Sequence, residues 1–317
     1  MMKQAGKLSG LLGLTRPGVL LSLVSVQWAM VFLGVYVEPV ERRNPALDTL
    51  GLPWALVASA VVAAGLGIFL LALNDALDAR HDRAFEPDKP IPSGKATQRA
   101  ALGLAMAGLL AALGAAVALG PMSVILALVA TGAIVFYNLA GRFVPAVGII
   151  TLGLIIGVAS LIPNPRLAFA WPILLMMTHV IAAATVRHVL AGKRPRLKPI
   201  DGWGICIGWV FWILVVLVLI GMRGRDVSHT GVGLVWVGPA LAAGVFGFIT
   251  WLLLGPSALK PRARRGTARR FAQFTTAWLI VFNVSWLFSA GLWWQGAIVL
   301  ILLGLAWLST SKKSAQT

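Results

Sequence analysis

Acidic side chains are scarce in this chain. Ten Asp and Glu stand against 27 Lys and Arg, with one cysteine, two tyrosines and only 12% charged residues in all. The lone Cys206, inside an apolar run, excludes an intrachain disulfide, so thiols say nothing about redox compartment. The shortage of charge excludes a soluble fold: 59% of residues are hydrophobic and the mean hydropathy is +0.87, more apolar surface than a water-facing domain can bury. The net charge of +17 would suit nucleic acid. The basic residues, however, sit at the ends of apolar runs and not in an aromatic-interleaved patch, which excludes nucleic acid as the partner and points to membrane topology and anionic lipid headgroups.

What is present is a succession of long apolar stretches. Each bilayer crossing takes about 20 residues, so the chain reads as one unit, residues 1–317, with no room for a separate soluble domain. Lys3, Lys7 and Arg16 precede an apolar stretch to about residue 37 that is too long for a signal peptide and is followed by no small-residue cleavage pattern. It reads as the first span. Runs bounded by proline, glycine and charge predict helices over 17–37, 52–73, 97–118, 121–139, 144–163, 169–190, 202–222, 231–254, 271–289 and 293–309. The last two are joined by so short a turn that a single bent element there would lower the count by one. The expected fold class is all-α, a polytopic membrane bundle of nine to ten transmembrane helices. Trp54, Trp171, Trp203, Trp293 and Trp294 near the span ends suit an aromatic belt.

Charge orders these spans. With the N-terminus in the cytoplasm, 22 of the 27 basic residues fall on the cytoplasmic side, and only Arg42, Arg43, Arg166, Arg223 and Arg225 on the other. This puts both termini and the long loops 74–96, 188–201 and 255–270 in the cytoplasm, in what we expect to be the inner membrane of a bacterium. A transporter is disfavoured, since no paired ionisable residues lie deep in the spans and no broken helices repeat.

Half of the ten acids, Asp75, Asp78, Asp82, Glu86 and Asp88, crowd together just after the apolar run that ends at Leu73. If the second helix continues past Leu73, Asn74, Asp75, Asp78 and Asp82 fall on one arc of about a quarter turn. Three carboxylates so close repel one another. Mg²⁺ removes that penalty, because it prefers oxygen ligands and commonly uses one or two carboxylates with substrate phosphates. The following segment, Glu86-Pro87-Asp88-Lys89-Pro90-Ile91-Pro92-Ser93-Gly94-Lys95, is stiff and basic, and Arg83, Lys89 and Lys95 offer donors for phosphate oxygens. A polyanion site at the mouth of an apolar bundle implies a substrate with a charged head and an apolar tail, such as a prenyl diphosphate. A charged loop that merely faces water is the plain alternative, and the spacing argues against it.

The arrangement Asn74-Asp75-x-x-Asp78-x-x-x-Asp82 resembles the first signature of the UbiA superfamily of intramembrane prenyltransferases, and Asp88-Lys89-Pro90-Ile91-Pro92-Ser93-Gly94 is similar to that family's segment after it. The Glu-Pro-Asp lead-in looks most like the chlorophyll-synthase branch. Thr15-Arg16-Pro17 and Phe136-Tyr137-Asn138 with Arg142 also fit, so the resemblance covers about residues 12–165. It implies a Mg²⁺-dependent transfer of an isoprenoid chain from a prenyl diphosphate to an aromatic or other lipophilic acceptor. Asp75, Asp78 and Asp82 would hold the metal with help from Asn74. Arg83, Lys89, Tyr137, Arg142, Arg187, Lys193 and Arg194 would bind substrate.

The family's second Asp-rich motif is absent. Residues 178–200 contain no acid, and Arg187, Lys193 and Arg194 stand in its place. Three readings remain open: these cations bind phosphate directly; catalysis is lost and the chain binds an isoprenoid, quinone or pigment, as a subunit of a membrane complex; or they follow ordinary topology, the stronger reading for Arg196 and Lys198. His81 falls beside Asn74 on the helical wheel and is equally a solvated residue. His179 and His188 lack zinc-type partners and more simply bond a neighbouring helix. The basic segment Lys260 to Arg270 reads as topological, with attraction to headgroups.

Overall fold

The structure is a computed structural model that describes residues 10–193, 195–222, 232–255 and 261–314. Among them it has helices and no strand: α1 (Pro17–Tyr36), α2 (Pro45–Leu77), the short α3 (Ala79–Phe85), α4 (Gln98–Ala118), α5 (Pro121–Leu139), α6 (Pro145–Leu161), α7 (Trp171–Leu190), α8 (Pro199–Met222), the single turn α9 (Val232–Val235), α10 (Val237–Leu253), α11 (Pro261–Ser289) and α12 (Trp293–Ser314). Seven are long and apolar enough to cross a membrane, and α6, α10 and the apolar part of α12 are shorter. The chain is thus an integral, multi-pass membrane protein with the all-helical fold expected from its apolar runs. The last two runs are separate helices, parted by a turn at Gly291, where φ is 75°.

Local chemistry sets the boundaries. Proline opens α1, α2, α5 and α6, where its missing N–H is one of the unpaired donors of a first turn. Asn44 caps α2 by accepting from Ala46 N, and its Nδ2 donates to Leu119 O (2.8 Å) and Pro163 O (2.9 Å), tying three connections at the end remote from the acids. α2 begins earlier than the apolar run suggests. Residues 45–50 form a first turn that a kink at Gly51 (φ 70°, ψ 159°) and Pro53 sets off from the spanning part.

Without a hydrophobic drive between helices in lipid, close backbone approach supplies the packing. α2 lies closest to α4, where a Cβ at Gly108 would meet Gly65 O at 2.8 Å and one at Gly65 would meet Ala112 at 2.9 Å, so both positions require glycine. α1 is central, packed on α2 on one side and on α11 and α12 on the other. α8 rests mainly on α6 and leaves most of its surface to lipid.

Candidate active site

The acidic end of α2 differs from a straight continuation. The α-helix stops at Leu77, Asp78 adopts φ −86° and ψ 0°, and α3 restarts at Ala79. The backbone bonds Asp78 N to Asn74 O (2.9 Å) and Asp82 N to Asp78 O (2.8 Å) bridge the joint. The bend sends the three carboxylates to three different partners. Asp75, 3% exposed, takes Arg16 Nη2 at 2.6 Å on Oδ1. Asp78 has Arg142 Nη1 at 2.6 Å from Oδ1 and accepts from Asn74 Nδ2 (3.1 Å) on Oδ2. Asp82, equally buried, takes Lys89 Nζ at 3.0 Å, and Lys89 also reaches Glu86 Oε2 at 2.9 Å.

Among the described residues no three His, Cys, Asp or Glu side chains come together as a metal-holding group. The mutual repulsion of the acids is relieved by one cation for each, Arg16 and Arg142 from distant parts of the chain and Lys89 from seven residues beyond Asp82. Two carboxylate oxygens nevertheless remain, Asp75 Oδ2 and Asp82 Oδ2, both buried and without a hydrogen-bond partner. Hard, anionic and unsatisfied, each is an oxygen of the kind that a divalent cation takes.

The charges respond to their surroundings. Burial pushes the Asp82 carboxyl above the usual carboxylate range, and Lys89 offsets this only in part, while Asp78 and Glu86 add to it. Burial also pushes Glu86 upward, but Lys89, Arg16 and Lys193 outweigh it and leave that carboxyl below its ordinary value. Lys89 is raised because its bonds to Glu86 and Asp82 overcome its own burial. Lys193 is exposed at its surface but has protein close around it. Burial there, with the charges of Arg187 and Lys89 added, brings its ammonium down to about 8, against the pull of Glu86 and Asp78.

These influences place the cations of the 187–193 segment on the acidic cluster. Arg187 is within electrostatic reach of Arg16, Tyr137 and Glu86, and Tyr137 of Arg187, Arg142 and Asp78. Arg187, Lys193, Tyr137 and Arg142 thus lie within electrostatic reach of the acidic cluster or of one another. Arg83 is exposed, and Arg194 lies outside the described residues. Arg142 and Lys89, expected to hold phosphate, are engaged by Asp78 and Asp82.

Arg16 is the residue that sequence reasoning missed as part of the site. It is the only described non-glycine residue with positive φ (45°), immediately before Pro17. Its place is fixed by the preceding helical turn, residues 10–15, where Leu14 is fully buried against Ala76, Ala79, Ile91 and Ala96. The signal for it was the arginine at the head of the first span, facing a cluster that needed neutralising. The loop after α3 turns at Gly94 (φ 75°) and is pinned by Ile91 and by Ala96 N to Pro90 O (2.9 Å).

Of the described histidines, His179 and His188 stand apart from the acids, while His81 Nδ1 lies 3.8 Å from Asp82 Oδ1. His179, within α7, donates from Nε2 to Thr275 O (2.8 Å) of α11, His188 bonds Pro195 O (2.9 Å), and exposed His81 stacks on Phe85. In the basic segment, Arg264 Nη2 donates to Val189 O (2.7 Å) at the end of α7, where a cation favours the helix C-terminus.

Below the cluster, inside the bundle, α1, α2, α5 and α6 enclose an apolar cavity of about 40 Å³. Leu70 lies one turn below Asn74, and Ile134 one turn below Asn138. The site is therefore a charged mouth over an apolar interior.

This arrangement of helices has a counterpart among solved structures. Over 90% of this chain and 98% of the other, it superposes with a TM-score of 0.55 at 14% identity on a structure of digeranylgeranylglyceryl phosphate synthase in membranes. By sequence it is 30% identical over 132 residues to the digeranylgeranylglyceryl phosphate synthase of Methanopyrus kandleri, a match that spans 42% of this chain and 46% of that relative, less than half its length. A weaker overlap, TM-score 0.47 at 15% identity over 92% and 98% of the two chains, is found with the apo structure of a UbiA homolog from Aeropyrum pernix. No protein-family model matches.

Proposed function

We propose that the chain is a UbiA-superfamily prenyltransferase that moves an isoprenoid group from a prenyl diphosphate to a lipophilic acceptor at a cytoplasm-facing site. The observation that carries this is the joining of Asp75, Asp78 and Asp82 with Arg16, Lys89, Arg142, Arg187 and Lys193 in one charged mouth above an apolar interior. The similarity to digeranylgeranylglyceryl phosphate synthases supports the same class of substrate. The excess of basic residues on one face supports a cytoplasmic site in a bacterial inner membrane rich in anionic headgroups.

In this reading Asp75 Oδ2 and Asp82 Oδ2, with Asp78, hold Mg²⁺, and Asn74 steadies Asp78. The ion supplies Lewis-acid stabilisation of charge on the diphosphate. Arg187 and Lys193, with Arg194, take the place of the second acidic motif and bind phosphate oxygens as fixed positive charge. Arg83 and Tyr137 border the same head group. The C1–O bond breaks with its electron pair leaving on the diphosphate, and the basic residues favour that charge. The apolar walls keep water from the allylic cation until an electron pair of the acceptor forms the new bond to C1. The acceptor's displaced proton goes to the released diphosphate.

A second reading has one observation in its favour: every carboxylate of the motif already has a cation of its own. In it the chain binds an isoprenoid, quinone or pigment without turnover, as part of a membrane complex. Equilibrium binding of geranylgeranyl diphosphate to the purified protein separates the two. The enzyme reading requires binding that depends on Mg²⁺ and is lost in Asp78→Ala and Asp82→Ala; binding indifferent to both overturns it.

A further inference from the structure

Glu86 is an acid of the charged mouth that the proposed chemistry does not use. It follows Asp82 by one turn of α3, and its N–H donates to Asp82 O (2.8 Å), so the two carboxylates share one side of the chain. The backbone then folds back. In the turn Glu86-Pro87-Asp88-Lys89 the Lys89 N–H donates to Glu86 O (3.1 Å), with proline at the second position, where its fixed φ suits the turn. Lys89 Nζ is thereby set between two acids, 3.0 Å from Asp82 Oδ1 and 2.9 Å from Glu86 Oε2.

Glu86 differs from the motif acids in its exposure. Asp75 and Asp82 are 3% exposed, whereas the Glu86 side chain is 59% exposed and free to swing away from the mouth. Its charge acts on Lys89, Arg16, Arg187 and Lys193, four cations of that mouth. Cations gathered this closely repel one another, and they would capture any phosphate group within reach. A carboxylate on a turn beside them is the protein's own counter-ion. Asp82, once it shares its charge with a metal ion, holds Lys89 less firmly, and a diphosphate outbids one carboxylate for the freed cations because it carries more charge.

We infer that Glu86 guards the anion site: in the empty protein its carboxylate stands in for a phosphate group beside Lys89, Arg187 and Lys193, and an entering diphosphate displaces it. Weak anions, such as a single phosphate or a lipid headgroup, are turned away by the same carboxylate. This role deepens the proposed function and rests on it only for the claim that the displacing anion carries a prenyl chain.

The test is isothermal titration calorimetry at pH 7 on the full chain in detergent, with inorganic diphosphate as the probe and no metal. Glu86→Gln should bind it about tenfold more tightly than the unchanged protein, the factor for removing one like charge from beside the ligand. Glu86→Asp keeps the charge and should gain little. With Lys89→Met as the background the gain from Glu86→Gln should shrink, because part of it comes from the ammonium that Glu86 no longer holds. Affinity unchanged or weaker in Glu86→Gln overturns the inference, and so does an equal gain in Glu86→Asp or a gain undiminished in the Lys89→Met background. Geranylgeranyl diphosphate with Mg²⁺ is titrated into the same preparations. If no variant binds it while Glu86→Gln still gains affinity for inorganic diphosphate, the proposed function fails and the role of Glu86 stands.

Discussion

Arg16 offers the sharpest test of how the acidic cluster is held. Asp75 is 3% exposed and its pair with Arg16 is 2.6 Å long, while Arg16 itself is 33% exposed. Arg16→Ala strands a buried carboxylate whose second oxygen already lacks a partner. Breaking a buried pair costs 3–5 kcal/mol, and the partial exposure of Arg16 argues for the low end, about 3 kcal/mol. In a chain of this size each kcal/mol moves the unfolding midpoint by about 2 °C, so a fall of about 6 °C is expected. Asp75→Asn added to Arg16→Ala should recover about half of it, since the stranded charge is gone. Mg²⁺ should stabilise Arg16→Ala more than the unchanged protein, because a cation again meets Asp75. Thermal unfolding in detergent with and without Mg²⁺ measures all three. A shift below about 1 °C in Arg16→Ala, or no recovery in the double variant, would refute the view that Arg16 neutralises a buried Asp75.

Lys193, brought down to about 8, carries its charge below that pH and loses it above. Affinity for a prenyl diphosphate should therefore fall as pH rises through 8, and Lys193→Met should be weaker at pH 7 and flat across that range. Because the folded value is below the ordinary 10.5, the empty fold binds fewer protons than the unfolded chain from about 8 to 10.5 and should gain stability across that window, the opposite sign to binding. In the α2–α4 contact, Gly108→Ala should cost about 1–3 kcal/mol by thermal unfolding, since its Cβ meets backbone that cannot step aside. Asn44→Ala removes a cap and leaves Leu119 O and Pro163 O short of a donor, for an expected loss of about 2 kcal/mol.

The spans were legible because bilayer thickness forces long apolar runs, and proline and glycine mark their ends. The motif from Asn74 to Asp82 was legible because half of the chain's ten acids fall between Asp75 and Asp88. The shape of the site was not. A helical wheel cannot show that the helix stops at Leu77, and with that stop the carboxylates meet three different cationic side chains. Arg16 and Arg142 lie 59 and 64 residues from the acids they meet, and such pairings follow from helix packing that no local pattern encodes. The cations of 187–193 stand where the resemblance expects acids, and Lys193 lies within electrostatic reach of Lys89 and Glu86.

The central claim is that this chain has a single carboxylate metal site and completes it with arginine and lysine. The most direct measurement is the number of divalent ions bound with the diphosphate, by electron paramagnetic resonance titration of Mn²⁺ against protein saturated with geranylgeranyl diphosphate. One tightly bound ion per chain, lost in Asp82→Ala and retained in Lys193→Met with weakened diphosphate affinity, is the expected result. Two tightly bound ions, or none, would contradict it.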